Sequence, residues 1–115
     1  MNPSCLFCKI ASGEIPSTTV YKDEQVTAFR DLHPVGPTHV LIIPNKHIAS
    51  LNEAAPEDEA LLGHLFIAAR KVAESEKISE GGYRVIVNTG EHGGQTVHHL
   101  HIHVIGGQQM KHPMG

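Results

Sequence analysis

The chain has 115 residues, 40% of them hydrophobic, which sets the expectation of one domain over residues 1–115 with one modest core. A formal net charge of -3 argues against a nucleic-acid partner, whose backbone asks for a basic face. The first ten residues carry no basic segment followed by an apolar stretch, and no apolar run approaches membrane-spanning length, so the expectation is a soluble, cytoplasmic protein with no membrane partner.

Residues 5–11 predict a short helix, capped by Ser4 and stopped by Gly13, with Ile15-Pro16 as a breaker after it. Residues 18–22 and 25–30, rich in Val, Thr, Tyr and Phe, predict two strands joined by a tight turn at Asp23-Glu24. Pro34, Gly36 and Pro37 make residues 31–38 a loop, and the apolar run 39–43 predicts a buried strand ended by Pro44. Pro56 and the acidic residues after it suit a helix N-terminus. Leu61, Leu62, Leu65, Phe66, Ala69, Val72 and Ala73 then place one apolar face on a long helix that fades near Lys77. Residues 83–88 predict a fourth strand, residues 89–95 a glycine-rich loop, and residues 99–105 a last strand closed by Gly106-Gly107. Short turns between neighbours favour an antiparallel sheet, so the fold class is α+β: five strands, one long helix and a short N-terminal helix. So thin a core leaves one sheet face in want of a partner, and a homodimer is expected.

Histidine is the anomaly: ten His outnumber nine Lys plus Arg. His33, His64, His92 and His112 read as surface scatter. Scatter does not account for His98, His99, His101 and His103 falling within six residues. In a strand, alternate side chains share a face, so His99, His101 and His103 line one side while Leu100, Ile102 and Val104 enter the core. Neighbours two apart stand roughly 6.6 Å from each other along a strand. A phosphate can lie across such a row, one imidazole attacking phosphorus while the next donates to its oxygens. The same row suits a zinc or iron face, and Asp31 is a carboxylate that an iron triad would require. The loop ahead of it tips the balance toward phosphate, because Gly93-Gly94-Gln95-Thr96 lets main-chain amides and two polar side chains approach an anion closely.

Cys5-x-x-Cys8 is half a zinc site. A redox pair is the rival, although such pairs normally follow a strand, and none precedes Cys5. Reduced free thiols remain the plain alternative.

The run His-Leu-His-Ile-His-Val-Ile resembles the histidine-triad motif. Ile15-Pro16, Ala28-Phe29-Arg30-Asp31, Pro37-Thr38-His39, Ile43-Pro44, Gly94-Gln95-Thr96-Val97 and Gly106-Gly107 narrow the resemblance to the Hint branch, from about Leu6 to the C-terminus. It implies a homodimer with one continuous sheet, binding of purine nucleoside monophosphates of the AMP or GMP type, and hydrolysis of the P–N bond of nucleoside phosphoramidates. On this resemblance Leu6, Phe7, Ile10, Phe29 and Leu32 wall the base pocket, and Asp31 holds the ribose hydroxyls. Asn88, Gln95, Thr96 and His103 contact the phosphate, with Gly94 in the same loop. His101 is the nucleophile, His99 completes the triad, and His39 supports it from a neighbouring strand. His47, in Pro44-x-x-His47, and His99 would join Cys5 and Cys8 around a structural zinc, with no metal needed for the chemistry. Two rivals keep the fold: a nucleotide-binding regulator with incidental catalysis, and a dinucleoside polyphosphate hydrolase. Position 98 is His where an aromatic residue is usual, Thr96 replaces a common Ser, and the tail lacks the Trp of some relatives.

Overall fold

The computed structural model describes residues 4–114. A short helix α1 (Leu6–Ala11) precedes strands β1 (Thr19–Lys22), β2 (Val26–Arg30) and β3 (Thr38–Pro44). Two 3-10 turns (Leu51–Glu53 and Pro56–Asp58) lead into the long helix α2 (Glu59–Ser75), followed by β4 (Tyr83–Val87) and β5 (Ile102–Gly106). The sheet order is β1-β2-β3-β5-β4, and every pairing is antiparallel. This is the α+β arrangement that the order of elements predicts.

Alternation divides the strands between two faces. Val26, Ala28, Val40, Ile42, Ile102 and Val104 join Leu65, Ala68, Ala69, Val72 and Ala73 of α2 in the main core. Phe29, Leu41 and Ile43 point the other way and pack with Cys5, Phe7 and Cys8 in a smaller cluster under α1. Lys22 ties α1 to the sheet edge, its Nζ donating to the Ala11 carbonyl at 2.6 Å.

Several local expectations are corrected. Cys5, not Ser4, caps α1, its Sγ accepting from the Cys8 N–H at 3.4 Å. Phe66 is 55% exposed, because the buried stripe of α2 runs through Leu65, Ala68, Ala69, Val72 and Ala73, one step round the helix. His64 is no scattered surface residue: its Nε2 lies 2.7 Å from Asp23 Oδ2 and ties α2 to the β1–β2 turn. That turn is closed by Asp23 Oδ1, which accepts from the Gln25 and Val26 N–H groups. The fourth strand stops at Val87, and Asn88 turns into the following loop to donate to Gly93 O at 2.7 Å.

The largest correction concerns the histidine run, which is paired as strand only from Ile102 onward, not from His99. The β3–β5 register sets Ile42 against Ile102, so Leu100 would face Pro44. Proline has no N–H to donate, and the ladder stops there. The Leu100 N–H bonds Ile48 O instead. Leu100 still enters the core beside Ile102 and Val104, so the inward half of the expected alternation survives.

Candidate active site

The second sheet face opens into a cavity of about 390 Å³. Leu6, Phe7 and Ile10 from α1 meet Phe29, Asp31 and Leu32 from the end of β2 and its following loop there. Thr96, His101 and His103 close the opposite side. Leu6 is 47% exposed and Leu32 89%, so neither is core. Phe7 is buried and packs edge-on to both Phe29 and His101, with ring centroids 5.4 and 5.1 Å away. Ile15, Thr18 and Leu41 also line the cavity. Sequence reasoning read Ile15-Pro16 only as a breaker and a family mark, since nothing local announces a wall residue. A larger cavity of about 530 Å³ lies by Ile78, Tyr83, Arg84 and Met110, but its lining contains no histidine, cysteine or carboxylate.

Hydrogen bonds fix the ring tautomers, because a carbonyl only accepts and a main-chain N–H only donates. His101 Nδ1 lies 2.7 Å from the His99 carbonyl, so Nδ1–H donates and the lone pair of the neutral ring is on Nε2. The Val35 N–H donates to His39 Nδ1 at 3.1 Å, so His39 carries its proton on Nε2. That Nε2–H points at His103 Nδ1, 2.9 Å away, and Asp31 Oδ2 lies 3.4 Å from the same nitrogen. His103 Nδ1 therefore accepts, and neutral His103 keeps its proton on Nε2. The His101 and His103 rings stand 5.1 Å apart, a lone-pair nitrogen on one and an N–H on the other.

Burial sets these rings against carrying charge. It pushes His103 down to about 4, with the His101 and His39 rings adding to the effect and the Asp31 charge opposing it. It pushes His39 below the ordinary histidine value too, again against Asp31. Asp31, His39 and His103 lie close enough together to suggest a metal triad. The tautomer argues against one. A ligating imidazole donates its other ring N–H to the protein, whereas His39 accepts at Nδ1 and has a proton where the metal would bind.

His99 has the opposite pattern. Its Nε2–H donates to Pro44 O at 2.8 Å, and its Nδ1 lone pair turns away from the cavity toward Cys5, Cys8 and His47. The Cys5 Sγ–His99 Nδ1 and Cys8 Sγ–His47 Nδ1 distances are both 3.3 Å, Cys8 Sγ–His99 Nδ1 is 3.6 Å, and the two Nδ1 atoms are 3.2 Å apart. A tetrahedron with bonds of about 2.3 Å to sulfur and about 2.0 Å to nitrogen has edges of roughly 3.3–3.8 Å. Burial pushes the Cys5 thiol up, partly opposed by the Cys8 N–H, and a cation among the four donors would favour the thiolate. The donor set fits a metal ion such as zinc.

Other expected residues lie elsewhere. Asn88, Gly94 and Gln95 do not line the cavity; they shape the loop that carries Thr96 to it. The Gln95 side chain is engaged three times by main chain: Oε1 accepts from Gly90 N–H, and Nε2 donates to Ala49 O and Val97 O. It braces the loop here and has no donor to spare for a phosphate. His98 is exposed, outside the histidine cluster. In the tail, Arg84 donates to the His112 carbonyl, and among the described residues the tail does not line the cavity.

The family model described as "HIT domain" matches residues 12–110, and the chain belongs to this family. It is 50% identical over 110 residues to the purine nucleoside phosphoramidase of Escherichia coli strain K12, covering 96% of this chain and 92% of that one. It is 45% identical over 103 residues to protein HitA of Neisseria gonorrhoeae, covering 90% and 95%. The crystal structure of a HIT family hydrolase from Legionella pneumophila superposes with a TM-score of 0.94 at 52% identity, covering 97% of this chain and all of that one. A histidine triad protein from Clostridium difficile gives 0.95 at 43% identity, with 97% of each chain covered.

Proposed function

We propose that this protein is a nucleotide hydrolase that cleaves the P–N bond of purine nucleoside phosphoramidates through a nucleotidyl-histidine intermediate. The observation that carries the reading is the pairing of His101 Nε2, a lone-pair nitrogen held in place by the His99 carbonyl, with the protonated Nε2 of His103 on the wall of one apolar cavity. The purine lies between Phe7, Ile10, Phe29 and the exposed Leu6 and Leu32, with Asp31 at the ribose. His101 Nε2 attacks phosphorus, the N–P bond to His101 forms, and the P–N bond to the amine breaks as the amine takes up a proton. Water then attacks the same phosphorus, releasing the nucleoside monophosphate and restoring neutral His101. His103 Nε2–H and the Thr96 hydroxyl stabilise the charge that gathers on the phosphoryl oxygens. The 50% identity to a protein named for this activity supports the choice of substrate class.

The reading includes a structural zinc, held by Cys5, Cys8, His47 and His99. Its contribution is to tie α1, and with it Phe7, to the chain just before His101. It also includes a homodimer, supported by exposed Phe66 and Ile67 on α2 and by the apolar edge strand β4.

Turnover of adenosine 5′-phosphoramidate compared with diadenosine polyphosphates tests the substrate, and preference for the polyphosphates overturns the P–N assignment. His101→Ala should fold, still bind adenosine monophosphate, and lose turnover by at least about a thousandfold. Near-normal phosphoramidase activity in that variant removes His101 from its role. Acid-labile nucleotidyl label should be trapped on His101 in the unaltered enzyme.

A further inference from the structure

The side chain of Asp31 lies between the cavity and His39. Its Oδ1 accepts from the His33 N–H at 2.8 Å, and its Oδ2 stands 3.4 Å from His39 Nε2. That nitrogen carries one proton and faces two acceptors, Asp31 Oδ2 and the nearer His103 Nδ1. One N–H cannot be fully given to both. The share each receives depends on what else Asp31 accepts. Its side chain is 20% exposed on the cavity wall, so a hydroxyl group bound there competes directly with His39 for the carboxylate. His39 itself is buried and is held at Nδ1 by Val35, whose loop begins at Asp31. With Asp31 engaged by a bound hydroxyl, His103 Nδ1 is the acceptor left beside His39 Nε2–H.

We propose that Asp31, beyond its place at the ribose, is a specificity-determining residue that acts through the positioning residue His39 to fix the His103 ring for the chemical step. Resting on the reading of the cavity as a nucleotide site, this makes the sugar a reporter to the histidines. When the hydroxyls occupy the carboxylate, the His39 proton goes wholly to His103 Nδ1, and His103 presents Nε2–H to the phosphoryl oxygens in one orientation. When the hydroxyls are missing, the proton is shared and His103 is less firmly held. Ribose recognition then enters the rate of phosphorus transfer as well as binding. A carboxylate that gripped the sugar equally in the ground and transition states would change KM alone, and any rate effect it had without His39 would survive in His39→Leu.

The experiment has two independent readouts. Single-turnover rates and KM are measured for adenosine 5′-phosphoramidate and its 2′,3′-dideoxy counterpart. In the unaltered enzyme the loss of both hydroxyls should slow the chemical step about tenfold, the worth of one ordinary hydrogen bond, in addition to weakening binding. In His39→Leu both substrates should react slowly and at one rate, with the KM difference intact. His39→Gln, which puts an N–H back opposite His103, should recover part of the ribose dependence. An effect confined to KM, or a rate effect that survives in His39→Leu, overturns the proposal. The second readout is ring-nitrogen NMR of the unaltered protein. Adenosine monophosphate should move His103 Nδ1 toward a stronger accepted hydrogen bond, and the 2′,3′-dideoxy monophosphate should leave it as in the free protein. Identical nitrogen shifts with both nucleotides overturn the proposal even if the substrate class is correct. Absence of turnover overturns the hydrolase reading and leaves the NMR comparison to decide, while absence of nucleotide binding overturns both.

Discussion

Pro44 has no N–H to offer the residue opposite it, and the histidine run leaves the sheet at that point. Its carbonyl, freed from the ladder, accepts from His99 and turns that ring toward the cysteines. Strand spacing alone would have put three equivalent imidazoles on one face. The chain instead gives them three tautomeric situations, each set by a main-chain group or by His39. Alternation made the right residue types visible in the sequence, but their proton positions depend on carbonyls and amides that no side-chain pattern encodes. The neutral state of His39 and His103 has a consequence for stability. Burial lowers both below their unfolded value of about 6.5, so the unfolded chain binds protons that the folded chain refuses. Their contribution is whole above pH ~6.5 and is lost as pH falls toward about 4. For His103 alone the loss by pH 4 is ~3 kcal/mol. Denaturant midpoints at pH 7.5 and pH 4.5 should differ in that sense, and the difference should shrink in His103→Gln. A midpoint unchanged between the two values contradicts the neutral assignment.

Helix α2 ends at Ser75 with Glu76 as its cap, and the next residue, Lys77, has φ of 62° while Ile78 N–H reaches back to the Ala73 carbonyl. This left-handed closing position favours glycine, and Lys there costs on the order of 1 kcal/mol. Lys77→Gly should therefore raise stability by roughly 0.5 kcal/mol after the extra freedom of glycine in the unfolded chain is counted. A clear fall in the denaturation midpoint would show that the Lys77 side chain does something the backbone angle hides. The helix itself was legible from its apolar stripe, as were strands β1 to β4 within a residue or two. Phe66 was not, because a helical repeat read from sequence cannot tell the middle of a buried stripe from its rim. α1 was legible as a helix but not in its cap, since a cysteine thiolate or thiol seldom serves as one. The proposed zinc would anchor it through Cys5 and Cys8. The variant carrying Cys5→Ser and Cys8→Ser should lose bound zinc, melt earlier and bind nucleotide more weakly as Phe7 loosens. Elemental analysis of chelator-free protein should return one zinc per chain, and less than about 0.2 would dismiss the site, which if closed by four ligands should be nearly filled.

The whole molecule covers its two sheet faces unequally. α2 spans the first, and α1 with its cysteine cluster covers only the β2–β3 part of the second. Among the described residues no helix is long and apolar enough to cross a membrane. A second copy of the chain, joined along β4 and across α2, would cover Phe66, Ile67 and Val87, each of them apolar and exposed. Sedimentation should give two chains per particle, and Phe66→Asp should shift it toward one. A stable, fully active single chain would refute the dimer.

Strand β4 ends the sheet with the sequence Tyr-Arg-Val-Ile-Val, and its outer row of main-chain groups is a template for any extended chain that arrives. If two copies join along this edge, as proposed, the last event in refolding is a meeting between molecules, and its rate rises with concentration. On that reading a freshly folded chain has an unguarded edge until a second copy arrives, and the wait lengthens as the solution is diluted. Yield after refolding should pass through a maximum with concentration, limited below by slow encounter and above by disorderly edge-to-edge association.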